Sequence, residues 1–229
     1  KKGNAFLDEL NKASGIAIPM VIVSVSQYML RAVSMMMLGH LGELALSSAS
    51  LATSLSNVTG FSLLIGMASA LETLCGQAYG AGQYGRVGVL TCGSIVWLCL
   101  TCFPVAVLWV YTDRLLILIG QDPVISKEAG KFSVWLIPSL FPYAILQALV
   151  RYLQVQSVIA PMVVTSVASL IIHVPITWVF IFQFGLGNAG AALSIGVSYW
   201  INVITLVFYI RCCSTACEET RVTFSSEAF

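Results

Sequence analysis

The sequence predicts an all-α, polytopic membrane protein: a bundle of six transmembrane helices. Composition is the first observation. The chain is 58% hydrophobic and only 9% charged, with a mean hydropathy of +0.91. A soluble domain carries roughly 25% charged residues, so this chain lacks the charge to coat a surface that faces water. The second observation is spacing. Apolar runs near the ~20 residues needed to cross a bilayer recur six times, separated by turn-like breaks. The net charge of +1 argues against nucleic acid as a partner.

The six spans are expected at about Ile16–Leu38, Leu46–Leu74, Val87–Val110, Phe132–Leu153, Met162–Phe182 and Ala191–Ile210. The breaks read "GHLGE", "GQAYGAGQYGR", "TDRLLILIGQDPVISKEAGK", "QVQSVIAP" and "FGLGNAG", with the glycine, proline and Asx signals of turns. The third break is long enough to hold a short interfacial helix beside its "GQDP" turn. The first fifteen residues are polar and charged, so no cleavable signal peptide is expected at the start. Residues 1–14 read as a cytosolic segment and 15–211 as the bundle. Of the seven Cys, most fall inside apolar runs, where Cys behaves as a small hydrophobe. Neither His lies near a Cys pair, so no zinc pattern is present.

Orientation follows from the basic residues of the loops. Lys1, Lys2, Lys12, Arg86, Arg151, Arg211 and Arg221 fall on one side, and Arg114, Lys127 and Lys131 on the other. The bias places both termini and the "GQAYGAGQYGR" loop in the cytosol. Arg31 lies inside the first span, about 10 Å from its outer end at 1.5 Å per residue. It is expected to snorkel outward, because Glu72 sits at the opposite end of the second span. Arg86 and Arg151 are at the right level to satisfy Glu72.

Polar groups inside spans are costly and are therefore the functional candidates. Gln27 and Tyr28 lie in the first span, Asn57 in the second, Gln147 in the fourth, His173 in the fifth and Asn202 in the sixth. Taken singly, each could tie helices together; taken as a set, Gln27, Tyr28, Asn57, His173 and Asn202 could line a transport cavity. Pro19 is expected to kink the first helix. Ser48, Ala52, Ser56 and Gly60 recur every fourth residue, one smooth stripe that suits either close packing or sliding of a helix. Asn57-Val58-Thr59 matches a glycosylation sequon, but mid-span it is out of reach of the modifying machinery. Enzyme signatures are lacking: no H-E-x-x-H, G-x-S-x-G or Walker loop, and no paired intramembrane aspartates. The chain is therefore expected not to be an enzyme.

Several stretches resemble the plant-type multidrug and toxic compound extrusion (MATE) transporters. They are "LGHLGELALSSASLA" at 38–52, "ALETLCGQAYGAGQY" at 70–84, "LILIGQDPVISKEAGKF" at 116–132, "RYLQVQSVIAP" at 151–161 and "HVPITWVFIFQFGLGNAGAALS" at 173–194. The resemblance covers about residues 8–211. It implies a twelve-helix transporter of two pseudo-symmetric bundles, of which this chain matches the N-terminal one, and residues 212–229 would begin the cytosolic connector. It implies proton-coupled antiport of small organic solutes or xenobiotics across the vacuolar or plasma membrane. A proton gradient then drives transport without a cofactor, and the partners are solute, lipid bilayer and a C-terminal six-helix lobe. The alternative is a non-transporting fragment, or a half-transporter that must assemble with a second bundle. Many bacterial members carry an acidic residue in the first helix; here that region has Gln27, which does not titrate. Glu72, with Arg86 or Arg151, reads as an inner-gate or turn-organising residue, with proton carriage as the rival role.

The topology is testable. A reporter glycosylation site near Gln121 should be modified, and one appended after Phe229 should not. The reverse pattern would overturn the orientation.

Overall fold

The computed structural model describes residues 2–212, which form eight helices in the order α1 (Lys2–Gly39), α2 (Glu43–Ser56), α3 (Ser62–Gly80), α4 (Tyr84–Val110), α5 (Thr112–Leu118), α6 (Pro123–Val155), α7 (Ala160–Trp178) and α8 (Gly187–Cys212). Two wide π-turns interrupt them, at Asn57–Phe61 between α2 and α3 and at Val179–Gln183 after α7. Six stretches are long and apolar enough to cross a membrane: Ala17–Gly39, Glu43–Gly80, Tyr84–Val110, Pro123–Val155, Ala160–Gln183 and Gly187–Cys212. No strand occurs among the described residues. Beyond Cys212, the stretch expected as a connector lies outside the described residues.

The spans run longer than the apolar runs that signal them. Polar residues flanking an apolar run still gain helical hydrogen bonds, so the helix continues past the hydrocarbon edge. The N-terminal segment, expected to stand apart from the bundle, is helical from Lys2 and continuous with the first span through Pro19. The "SKEAGK" of the third break likewise belongs to α6. There the Asp122 carboxylate accepts from the amides of Val124 (2.8 Å) and Ile125 (3.2 Å), and Pro123 takes the first helical position. Pro is favoured there because that amide needs no partner. The short helix expected before the "GQDP" turn is α5.

The glycine-rich break is mostly helix. Only Ala81–Gln83 leave it, and the stop is hydrogen-bonded: Gln83 N donates to Ala78 O (2.9 Å) and Gly82 N to Tyr79 O (3.0 Å). Gly82 takes φ +72, the left-handed conformation that ends a helix and suits glycine. The rings of Tyr79 and Tyr84 meet edge to face at 5.1 Å across the turn. An uncharged, tyrosine-flanked turn thus joins α3 to α4 directly.

The centre of the bundle is α6. It packs against α8, α4, α2, α3 and α5 and is the most enclosed of the spans, whereas α4 is the least. Along α4, Trp97, Leu100, Phe103 and Val107 face outward, as a lipid-facing surface requires. The stripe of small residues is a packing surface: Ser48, Ala52 and Ser56 are buried, and Asn188 Nδ2 at the start of α8 donates to Ser48 Oγ (3.0 Å). At Gly60 the stripe meets Trp109 of α4. A Cβ on Gly60 would stand 2.5 Å from Trp109 Cζ2, a separation no real pair of atoms tolerates, and Trp109 Nε1 is anchored by donating to Thr59 Oγ1 (3.0 Å).

Gly60→Ala should therefore destabilise the bundle by about 1–3 kcal/mol through overpacking, read as a lower thermal midpoint in detergent. Trp109→Leu should absorb part of that cost, so that the double variant is less destabilised than the two single changes added together. Strict additivity would show that the two sites do not touch.

Candidate functional site

Polar side chains gather at three levels of the bundle. Toward the end of the bundle that carries the α3–α4 turn, Glu72 of α3 meets α6. Arg151 Nη1 lies 3.1 Å from one carboxylate oxygen of Glu72. Gln154 Nε2 donates to the other (2.8 Å), while Gln154 Oε1 accepts from Arg151 Nη1 (2.9 Å). The three side chains close a ring in which each bonds to both others. Arg86 takes no part: it is exposed at the start of α4 and donates to Gln83 (3.2 Å). Of the partners expected for Glu72, the structure supplies Arg151 and adds Gln154, which sequence reasoning passed over. The signal was available, since Arg151 and Gln154 are three residues apart on one helix and share a face.

The middle level is built around Arg31. It does not snorkel to the outer surface. Its guanidinium is half-buried, donates from Nη1 to Asn57 Oδ1 and stands over the Phe61 ring, 5.3 Å from the centroid. Asn57 and Phe61 begin and end the first π-turn, whose extra residue widens the helix where both side chains are presented. The expectation failed because an inward amide and an aromatic face were nearer than water. Behind Phe61 the aromatic contacts continue, to Tyr143 at 4.7 Å and from Tyr143 to Tyr199 at 5.2 Å. Gln27, one turn before Arg31 on α1, accepts from Gln147 Nε2 of α6 (3.2 Å), and Tyr28 is largely exposed.

The third level is enclosed. His173 is fully buried, with Ser34 Oγ 3.1 Å from Nε2 and Ser198 Oγ 2.8 Å from Nδ1. Ser198 already donates to Ser194 O (2.9 Å) and Thr177 to His173 O (2.8 Å). A single ring proton on Nδ1 therefore satisfies the set, with Ser198 accepting and Ser34 donating to Nε2. Through this imidazole α1, α7 and α8 are tied together. Asn202, also buried, donates to Ser166 across α7 and α8 (3.4 Å). The idea of one polar wall is thus corrected for two of its members. His173 and Asn202 sit between helices of this bundle, whereas Gln27, Tyr28 and Asn57 keep some exposure. Pro19 lies near the start of the first span, in a groove of about 680 Å³ that it shares with Gly15, Ile22, Pro161 and Tyr209. Among the described residues no group of His, Cys, Asp and Glu could hold a metal ion.

Among the described residues, six spanning helices, one of them buried among the others, with polar groups layered between them, form a polytopic membrane bundle. The MatE family profile matches residues 19–179, and the chain belongs to that family, which is one of transporters and not of enzymes. It is 54% identical to protein DETOXIFICATION 14 of Arabidopsis thaliana over 228 residues, which is 100% of this chain and 47% of that protein. It is 47% identical over 222 residues to DETOXIFICATION 9 of the same plant, covering 97% of this chain and 46% of the relative. The crystal structure of the eukaryotic MATE transporter AtDTX14 superimposes with a TM-score of 0.94 at 53% identity, over 97% of this chain and 50% of that one. A MATE structure in the bent conformation, 15% identical, shares the fold with a TM-score of 0.80. The chain spans about half the length of the curated relatives it matches.

The Glu72 ring carries a prediction. The Glu72 side chain is 38% exposed and that of Arg151 18%, which places the pair between surface and buried ion pairs. Glu72→Gln should cost about 1–2 kcal/mol, read as a lower thermal midpoint in detergent. Gln154→Ala should cost much less once Glu72 is gone than in the native chain. Independent effects of the two changes would dissolve the ring.

Proposed function

We propose that the chain is one half of a secondary active transporter that exports small organic solutes by proton-coupled antiport, with a second six-helix lobe forming the other wall of the pathway. The observation that carries this reading is the match along essentially the whole chain to half of each MATE relative. The driving force is an inward proton gradient, with no cofactor. Both termini lie in the cytosol, and the membrane is vacuolar or plasma. The solute meets the exposed polar and aromatic side chains of the bundle, Gln27, Tyr28 and Asn57. His173 and Asn202 hold the helices behind them, and the Glu72–Arg151–Gln154 ring steadies the inner end as part of a gate.

The titratable groups support dependence on a second lobe. Coupling needs a group inside the membrane that gains and loses a proton in response to solute. Arg31 is turned to a neutral amide and an aromatic ring, Glu72 is tied to Arg151 and Gln154, and His173 is enclosed by hydroxyls.

Proteoliposomes holding the 229-residue chain alone, under an imposed pH gradient, should take up a fluorescent organic cation no faster than empty vesicles. A chain joined to the second lobe of a relative should show uptake that an uncoupler abolishes. In that joined protein, Glu72→Gln should lower yield or turnover and leave the pH optimum in place. Uncoupler-sensitive uptake by the short chain, or a shift of the optimum by a full unit in Glu72→Gln, would overturn the assignment.

A further inference from the structure

A groove of about 490 Å³ opens on the surface of the bundle where α5 meets α6, a size within the ~300–1,000 Å³ range of small-molecule sites. Its place is set by where charge begins. Residues 87–110 of α4 carry no charged side chain, and neither do residues 132–150 of α6. The groove is lined by Asp113, just past the first run, and by Lys127, Glu128 and Lys131, just before the second; Val110 and Val134 belong to the runs themselves. A charged mouth therefore sits on the edge of two apolar runs, the level at which hydrocarbon gives way to headgroups in a bilayer.

The charges are of both signs. Lysines and a tryptophan at this level anchor spanning helices generally, but two carboxylates are not needed for anchoring. Glu128 pairs with Lys131 (2.7 Å). Asp113 and Lys127 belong to neither ion pair found among the described residues; Lys127 is exposed and Asp113 half-buried. A Cβ on Gly130 would stand 2.8 Å from Asp113 Cβ, so the glycine is what lets α5 bring this carboxylate so close to α6. The groove thus offers one unpaired carboxylate and one unpaired ammonium, with no net charge across its four charged side chains. The complementary ligand carries a cation and an anion together. Trp135, one turn beyond Lys131 and half exposed, adds an aromatic face of the kind that receives a quaternary ammonium.

The apolar side of the groove continues along α4. Val110, Val107 and Phe103 share one helix face and are all exposed, and the Phe103 ring meets that of Phe141 on α6 edge to face at 5.7 Å. An open apolar track about 10 Å long at 1.5 Å per residue therefore leads away from the charged mouth.

We infer that this groove seats one zwitterionic phospholipid of the phosphatidylcholine type. Its phosphate meets Lys127, its quaternary ammonium the Asp113 carboxylate and the Trp135 ring, and an acyl chain follows the track from Val110 to Phe103. The site requires only that the bundle stand in a membrane, so it is independent of what the protein exports.

The test is native mass spectrometry of the 229-residue chain in detergent, titrated with dioleoylphosphatidylcholine or with dioleoylphosphatidylglycerol, which has the same tails and an anionic head. The first phosphatidylcholine should bind at least fivefold more tightly than the first phosphatidylglycerol, and a large excess of tail-less phosphocholine should not displace it. Asp113→Asn should bring the two lipids within twofold of each other. Lys127→Gln should weaken both at least threefold, and Trp135→Leu should weaken phosphatidylcholine alone. Arg86→Gln, an exposed charge beside the α3–α4 turn, should change neither. Equal or reversed preference in the native chain, a preference that survives Asp113→Asn, or displacement by phosphocholine would overturn the site. Should Asp113→Asn lose its helical circular dichroism, Trp135→Leu decides: a selective loss of phosphatidylcholine upholds the site and no change rejects it.

Discussion

Hydrocarbon offers no hydrogen-bond partner, and the bundle is organised around that one constraint. A buried polar group is satisfied by its own helix backbone or by a group on another helix, and the side chains that reach across become the fasteners that fix which helices neighbour which. His173 binds three helices at one point, Gln27 and Gln147 join α1 to α6, Asn202 reaches Ser166, and Asn188 reaches Ser48. Packing supplies the rest. Lipid tails are as apolar as leucine, so contact area alone does not drive helices together, and small residues that permit close approach matter more. The buried serines and alanines facing α6, with Gly60 beneath Trp109, serve that end.

Enclosure by neighbours decides where the polar side chains of α6 go. The helix carries Ser126, Ser133, Ser139, Gln147 and Arg151 and two internal prolines, yet it is the span with the most buried side chains. With Ser126, Ser133, Ser139 and Gln147 buried among neighbouring helices, α6 reverses the order of a soluble bundle. The hydrophobic surface is displayed to the solvent it prefers, and the hydrogen-bonding groups are drawn inward.

Much of this was legible in the sequence. Six spans, their order and their breaks followed from apolar run length, because the bilayer imposes a fixed minimum on a helix. Arg151 was legible as one of two candidate partners of Glu72, because it and Arg86 sit at the same level, and level alone did not choose between them. What sequence could not supply was azimuth. Arg31 was placed correctly in depth and wrongly in direction, since the choice between water above and an amide beside it depends on how α1 is rotated. A clue lay in register. Gln27, Arg31 and Ser34 are spaced four and three residues apart and share one face of the first span, and such a polar face turns inward in a membrane. The π-turns at 57–61 and 179–183 left no readable mark, because a single extra residue in a helical turn alters no pattern that apolar periodicity measures.

The pairing of Arg31 with Asn57 also constrains how the chain is made. The two residues are 26 apart, and only the turn at residues 40–42 separates their helices. At about 5–20 residues per second, a ribosome delivers Asn57 roughly 1–5 s after Arg31. Over that interval the first helix holds an arginine that costs about 2.5–3.5 kcal/mol near the bilayer centre. The first span is therefore poorly suited to partition into lipid by itself, and is expected to linger at the translocation channel until the second arrives. The two would enter the bilayer together as a helical hairpin, so membrane insertion, and not only the finished fold, rests on that hydrogen bond.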